Sequence, residues 1–330
     1  MSFILPLADS RVRPKEFVAR VAVGIARDHP SRSENDAMAL STNVHDTALI
    51  FEGGGMRAAY TAAVVVELLR QEIHFDWVAG ISAGSSNTAN YVSRDAGRAH
   101  RCFVDFAADP RFGGWQHFLR RRGMFNAHYI YQEAGLPGRA LPFDYDTFMA
   151  NPARASFGTF EADTGRSFYW TKDDVASMQD LMVRVQSSST LPILMPIVHI
   201  GDHAYVDGAL GPSGGIALDA AKTAGFEKFL VVLTRPRSYV KKPTKLTPAL
   251  RAAFRKYPAI ADGNAARAAN YNSTRTELLD LEAQGQAKVF FPTGELVTQA
   301  ERDVATLERS FQCGAAQIAQ EIDSWKDFLF

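Results

Sequence analysis

The amino-acid sequence predicts an α/β protein built on a mostly parallel sheet with helices on both faces. Three observations carry this. Ala48-Leu-Ile-Phe51 is a short unbroken apolar run that ends in glycines, the pattern of a strand buried on both faces. Lys228-Phe-Leu-Val-Val-Leu233 repeats that pattern far along the chain. Directly after the first run come a glycine loop, a helical stretch, a strand, a glycine turn and a second helical stretch. Such a βαβα order implies parallel strands with crossover helices.

Residues 1–46 form an N-terminal extension that is polar and weakly periodic. One short helix is expected at Phe17 to Ile25, and the Ser-, Asn-, Asp- and Thr-rich stretch Ser31 to Asp46 reads as loop. Residues 47–242 hold the α/β domain. After the first strand and Gly53-Gly-Gly55, the Ala-, Val- and Leu-rich segment Arg57 to Gln71 predicts a helix. Phe75 to Ala79 predicts the second strand, and a helix is expected just after Ser82. Ala155 to Tyr169 reads as two short strands around Asp163-Thr-Gly165, and Asp174 to Ser187 as a helix. Ile197 to Val206 predicts a hairpin turning at Gly201-Asp202. Ile216 to Ala224 is a helix stopped by Gly225. The basic, proline-bearing stretch Arg235 to Pro248 reads as a linker. Residues 243–330 form a mostly helical region packing on the preceding domain, interrupted by a short strand at Lys288 to Phe291.

Composition narrows the function classes. The 330 residues are 46% apolar and 22% charged, ordinary for a globular chain long enough to bury a core without disulfides. Lys plus Arg and Asp plus Glu are 36 each, so the formal net charge is zero. That supplies no general pull toward nucleic acid, and no nucleic-acid partner is expected. Two cysteines, Cys102 and Cys313, make neither a disulfide framework nor a zinc site. They fit reduced thiols in a cytoplasmic protein. The first residues lack the basic and apolar regions of a signal peptide, and no stretch reaches the ~18 apolar residues of a spanning helix. Membrane contact is therefore expected to be peripheral.

The chemistry lies in three short motifs. Gly80-Ile-Ser82-Ala-Gly84 matches G-x-S-x-G, a sharp strand-to-helix turn that lifts a serine hydroxyl above a sheet edge. The helix that follows directs its N-terminus at that serine, where N–H groups favour negative charge. Gly53-Gly-Gly55-Met-Arg57 can aim successive N–H groups at one point, as an oxyanion requires. Read instead as a phosphate loop, it fails G-x-G-x-x-G, and G-x-x-x-x-G-K-[ST] is absent from the chain. Arg57 fits two roles, an anion contact or a surface arginine at a helix start. Tyr205-Val-Asp207-Gly208-Ala209 is either a turn or the site of a catalytic carboxylate. No histidine follows Asp207, so the chain order Ser, Asp, His cannot be met with Asp207 as the acid. A Ser–Asp dyad needs no histidine. His199 and His203 lie after Ser82 and keep a triad open; the alternative is that they are solvent-facing hairpin residues.

Taken together, the glycine loop Gly53 to Arg57, the elbow Gly80 to Gly84 and Asp207-Gly208-Ala209 resemble the patatin-like phospholipase family. Ser187 to Pro192 resembles the family's Ser-x-x-x-Pro segment, and Val231 to Pro236 resembles a bacterial branch. The resemblance spans about Ala48 to Lys242. It implies a three-layer α/β/α fold and a Ser–Asp dyad of Ser82, the nucleophile, and Asp207, the base. It also implies an oxyanion hole at Gly53, Gly54 and Gly55, and no metal or other cofactor. Arg57, Ala83 and Pro192 are the substrate-binding residues it points to. The implied activity is lipid acyl ester hydrolysis of the phospholipase A or lysophospholipase type. A hydrolase of non-lipid acyl esters or thioesters and a non-catalytic lipid-binding relative are the alternatives. Two departures bear on pocket shape. Ala58 stands where the family has glycine, and Leu210 to Gly215 is a longer turn than usual. For docking on a lipid surface, the candidates are the aromatic and basic stretch Trp115 to Phe125, with Arg120, Arg121 and Arg122, and the basic run Arg235 to Lys245.

Overall fold

The computed structural model describes residues 40–113 and 125–330. The expected helix at Phe17 to Ile25, most of the N-terminal extension and Arg120 to Arg122 lie outside the described residues. The described residues belong to one compact unit.

In chain order, β1 (Thr47–Phe51) leads through the glycine loop into α1 (Ala58–Arg70), and β2 (Trp77–Ile81) into α2 (Ala83–Val92) and α3 (Ala96–Phe103). The short α4 (Tyr145–Ala150) precedes β3 (Arg154–Glu161) and β4 (Arg166–Thr171), and α5 (Met178–Ser189) follows. The hairpin β5 (Val198–Ile200) and β6 (His203–Asp207) ends at the Asp207 motif. Then come α6 (Leu218–Thr223), β7 (Lys228–Val232), α7 (Thr247–Ala253), α8 (Pro258–Ala283), β8 (Ala287–Phe290) and α9 (Val304–Leu329). The strands form one sheet in the order β5-β6-β3-β2-β1-β7-β8, with β4 on β3. Pairs β1/β2, β1/β7, β2/β3 and β7/β8 are parallel. Pairs β3/β4, β3/β6 and β5/β6 are antiparallel.

The unbroken apolar runs are explained by burial on both faces. Leu49, Phe51, Val78, Leu230 and Val232 point into a core closed by α1, α2 and α9. Their neighbours Ala48, Ile50, Ala79, Phe229 and Val231 point into a second core closed by α6 and α8. This is the three-layer α/β/α architecture that the sequence predicts.

Three details differ from the sequence expectation. The second strand runs on to Ile81 rather than stopping at Ala79, because Gly80 and Ile81 still pair with Phe51 and Gly158. The strand therefore delivers Ser82 directly. The short strand near residue 288 is no ornament of a helical region: β8 extends the central sheet along β7. The stretch after β7 is no free linker either. The Asn272 side chain accepts a hydrogen bond from Lys241 N at 2.9 Å and donates one to Lys241 O at 3.0 Å, fastening the segment to α8. Among the described residues, no helix is long and apolar enough to cross a membrane.

Candidate active site

Ser82 sits in a strained turn. Its φ is 57° and its ψ −126°, a conformation that costs a non-glycine residue about 1–3 kcal/mol. The surroundings leave it no other. A Cβ on Gly80 would meet Gly84 O at 2.1 Å, and one on Gly84 would meet Phe51 O at 2.1 Å. Both flanking glycines are thus required by backbone contact. Beneath the turn, Ser82 N donates to Ser188 Oγ at 2.9 Å, and Ser188 Oγ donates to Gly158 O at 2.5 Å. Ser85 Oγ lies 2.7 Å from Ser188 Oγ and donates to Gly80 O at 3.0 Å. This buried serine network ties the elbow to α5 and β3. Helix α2 starts at Ala83, so its positive end faces the serine.

The glycine loop divides its donors. Gly53 N donates to Gly215 O at 3.3 Å and Met56 N to Gln299 O at 3.1 Å. The N–H groups of Gly54 and Gly55 find no acceptor among the described residues. Crowding explains why this loop is glycine. A Cβ at Gly54 would stand 2.7 Å from Thr234 Oγ1, and one at Gly55, where φ is 57°, would stand 2.4 Å from Gln299 O.

Asp207 closes β6, opposite Thr159 of β3. Its N–H donates to Thr190 O at 2.8 Å, and its Oδ1 accepts from Ala209 N at 2.9 Å. The side chain is buried, at 2% exposure. Burial pushes its pKa above the usual carboxylate value; the positive charge of Arg267 and the Ala209 N–H pull the other way without cancelling it.

Two chambers meet at Ser82. One is an apolar cavity of about 100 Å³, walled by residues such as Met56, Ala83, Phe106, Phe112, Leu141 and Met182. The other is polar, about 30 Å³, and holds the glycine loop, Arg57, Asp207, Arg235, Lys241 and Arg267. Gly55, Ser82, Leu191 and Gln299 line both. Of the residues singled out in the sequence, Ser82, Asp207, Gly53, Gly54, Gly55, Arg57 and Ala83 converge here. Pro192 lines neither chamber; its neighbour Leu191 does. Among the described residues, no histidine lines either chamber. His199 Nε2 lies 3.2 Å from Tyr257 Oη, and His203 Nδ1 lies 2.7 Å from Glu161 Oε1. Residues that sequence reasoning missed are Ser188, Gln299 and Arg267. Ser188 alone had a signal, the Ser-x-x-x-Pro segment; nothing local marks the other two.

Residues 49–218 match the family model for patatin-like phospholipase. The chain belongs to this family. Residues 257–330 match a further model, a domain of unknown function (DUF6363). Over 207 residues the chain is 26% identical to the uncharacterized protein YjjU of Escherichia coli strain K12, covering 59% of this chain and 54% of that protein. The chain thus spans about half the length of this curated relative. The crystal structure of VipD from Legionella pneumophila is similar at 10% identity and a TM-score of 0.45, over 92% of this chain and 73% of that one.

Proposed function

We infer that this chain is a serine acyl hydrolase of the phospholipase A or lysophospholipase type that works through a Ser82–Asp207 dyad. One observation carries the reading. The strained serine stands where an apolar cavity meets a polar chamber, and the buried carboxylate shares that chamber with it. The acyl chain enters the apolar cavity, which brings the ester carbonyl to Ser82. Asp207 takes the hydroxyl proton as Oγ attacks. Its raised pKa suits this task, because an ordinary carboxylate is a weak base at neutral pH. The negative charge on the carbonyl oxygen is stabilised by the N–H groups of Gly54 and Gly55, since that of Gly53 is committed to Gly215. The tetrahedral adduct collapses, the ester C–O bond breaks and the alcohol leaves with the proton from Asp207. Water then attacks the acyl-enzyme, giving its proton to Asp207, and the fatty acid departs as Ser82 is restored. Contact with lipid surfaces is peripheral in this reading.

The test is labelling of the full chain by a fluorophosphonate probe, alongside hydrolysis of a short-chain ester, a lysophospholipid and a diacyl phospholipid. Labelling at Ser82 that disappears in Ser82→Ala, together with turnover of the lysophospholipid, is the expected result. A labelled serine elsewhere, or no labelling in a folded chain, removes the catalytic reading and leaves a lipid-binding relative. Turnover of short esters or thioesters alone points to non-lipid substrates.

A further inference from the structure

The polar chamber holds more positive charge than the reaction uses. Arg57, Arg235, Lys241 and Arg267 all line it, against only two carboxylates, Glu52 and Asp207. Glu52 is already engaged, accepting from Thr234 N and Thr234 Oγ1. Among the described residues, no carboxylate lies within ion-pair distance of any of the four cations, and none of their side-chain nitrogens donates a hydrogen bond. The Nε atoms of Arg57 and Arg267 are buried without a partner. The four also repel one another. Burial first, then the charge of Arg235, pushes the Arg57 guanidinium below its usual pKa. Burial, then Arg267, brings the Lys241 ammonium down to about 8. Arg57 is buried and the other three are half-buried; Arg235 and Lys241 sit over the rings of Tyr239 and Tyr271, but none of the four has a counter-ion among the described residues. Like charges drawn out of water without a counter-ion are costly, and a bound anion offsets that cost.

We propose that this cluster is an anion subsite that binds a phosphate on the alcohol side of the scissile ester, so that the preferred substrate is an acyl ester of a small phosphorylated alcohol. The proposal rests on the reading of Ser82 as nucleophile and deepens it. The acyl chain occupies the apolar cavity, so the alcohol must lie in the polar chamber. That chamber is lined by four cations against two carboxylates, which suits a terminal phosphate carrying two negative charges. A dianionic phosphomonoester can accept from several guanidinium and ammonium donors at once. A choline-type head group would bring a fifth positive charge against the four. Three of the four cations lie outside residues 49–218: Arg235 and Lys241 follow β7, and Arg267 projects from α8. The phosphate subsite is therefore a property of this chain's second half.

The experiment compares kcat/KM of the full chain for three water-soluble esters of one acyl length: 1-acylglycerol 3-phosphate, 1-acylglycerol and 1-acylglycerophosphocholine. The phosphomonoester is expected to lead both others by about tenfold or more, and Arg267→Ala and Lys241→Ala to shrink that lead by about tenfold each. Arg267→Lys, which keeps the charge, should recover part of it. Equal rates on the three esters, or variants that slow all three in parallel, overturn the subsite. A second arm does not need turnover. Glycerol 3-phosphate titrated into the Ser82→Ala chain should bind, and bind more weakly after Arg267→Ala. No binding overturns the proposal outright. Binding without hydrolysis of any ester keeps the phosphate site and removes the Ser82 reading instead. Inorganic phosphate that binds as well as glycerol 3-phosphate, with no discrimination among the esters, identifies a site for the free anion and overturns the substrate proposal.

Discussion

At the scale of single residues, Asp207 sets both a pH dependence and a stability trade. Its pKa is raised by burial, so its charged form is less favourable in the folded chain than in the unfolded one. Below the unfolded value of 3.8 both states hold the proton and there is no penalty. As pH rises toward the folded pKa, the unfolded chain releases its proton first and stability falls; above the folded pKa the loss is constant. Asp207→Asn is therefore expected to abolish turnover and to raise the melting temperature at neutral pH, a gain that shrinks as the pH is taken below 3.8. An unchanged or lower melting temperature at neutral pH would mean that the hydrogen bonds to Asp207 outweigh its desolvation. The base must be ionised to accept a proton, so the acid limb of kcat/KM should lie above the ordinary aspartate range. Gly54 makes the second residue prediction. A valine there meets Thr234 and turns the loop's N–H groups, so kcat should fall about a hundredfold or more, and a rate within a few-fold of the parent speaks against the loop. Gly54 was legible as part of a glycine run. The commitment of Gly53 to Gly215 was not, because the acceptor lies far along the chain and no local pattern encodes it.

At the scale of elements, the glycine loop is held from outside the family segment. Gln299 O accepts from Met56 N, and this carbonyl stands where a Cβ on Gly55 would be. The loop carrying Gln299 is anchored in turn by Gln317 of α9. Its Oε1 accepts from Tyr60 Oη at 2.6 Å and from Thr293 N at 3.0 Å, and its Nε2 donates to Phe291 O at 2.9 Å. Gln317→Leu keeps the volume and strands these groups. It is expected to lower unfolding free energy by about 2–4 kcal/mol, read from the urea midpoint. It should also reduce kcat, because the glycine loop loses its support. A variant with parental stability would show that water replaces the amide. The elements themselves were largely readable from the sequence. β1, α1, α2, the hairpin and β7 follow from runs and turns of adjacent residues, and the expected boundaries lie within a few residues of those observed. The role of the stretch after β7 was not readable, since its basic residues and proline describe a solvated linker equally well. Only the Asn272 hydrogen bonds and the closeness of Lys241 and Arg235 to the polar chamber distinguish a wall from a spacer.

At the scale of the whole molecule, the segment matching the patatin-like model ends at residue 218, yet the sheet does not end there. β7 lies between β1 and β8, and β8 follows α8. Phe311, Ile318, Ile322 and Trp325 of α9 are buried, the last three in the same core as Val64, Val65 and Leu68 of α1. Each fully buried large apolar side chain contributes about 1.5–3 kcal/mol, so these four together reach about 6–12 kcal/mol. That is the same order as the whole net stability of a domain, about 5–15 kcal/mol. Removing residues 257–330 would also expose the outer edge of β7, an unpaired apolar strand that invites aggregation, and would remove Arg267 from the polar chamber. A chain cut after residue 256 is therefore expected to show no cooperative thermal transition, to bind a hydrophobic dye and to resist fluorophosphonate labelling at Ser82. A cooperative melt close to that of the full chain, with Ser82 still labelled, would establish that the second half is an addition to a self-sufficient hydrolase and would require another account of why the sheet borrows β8.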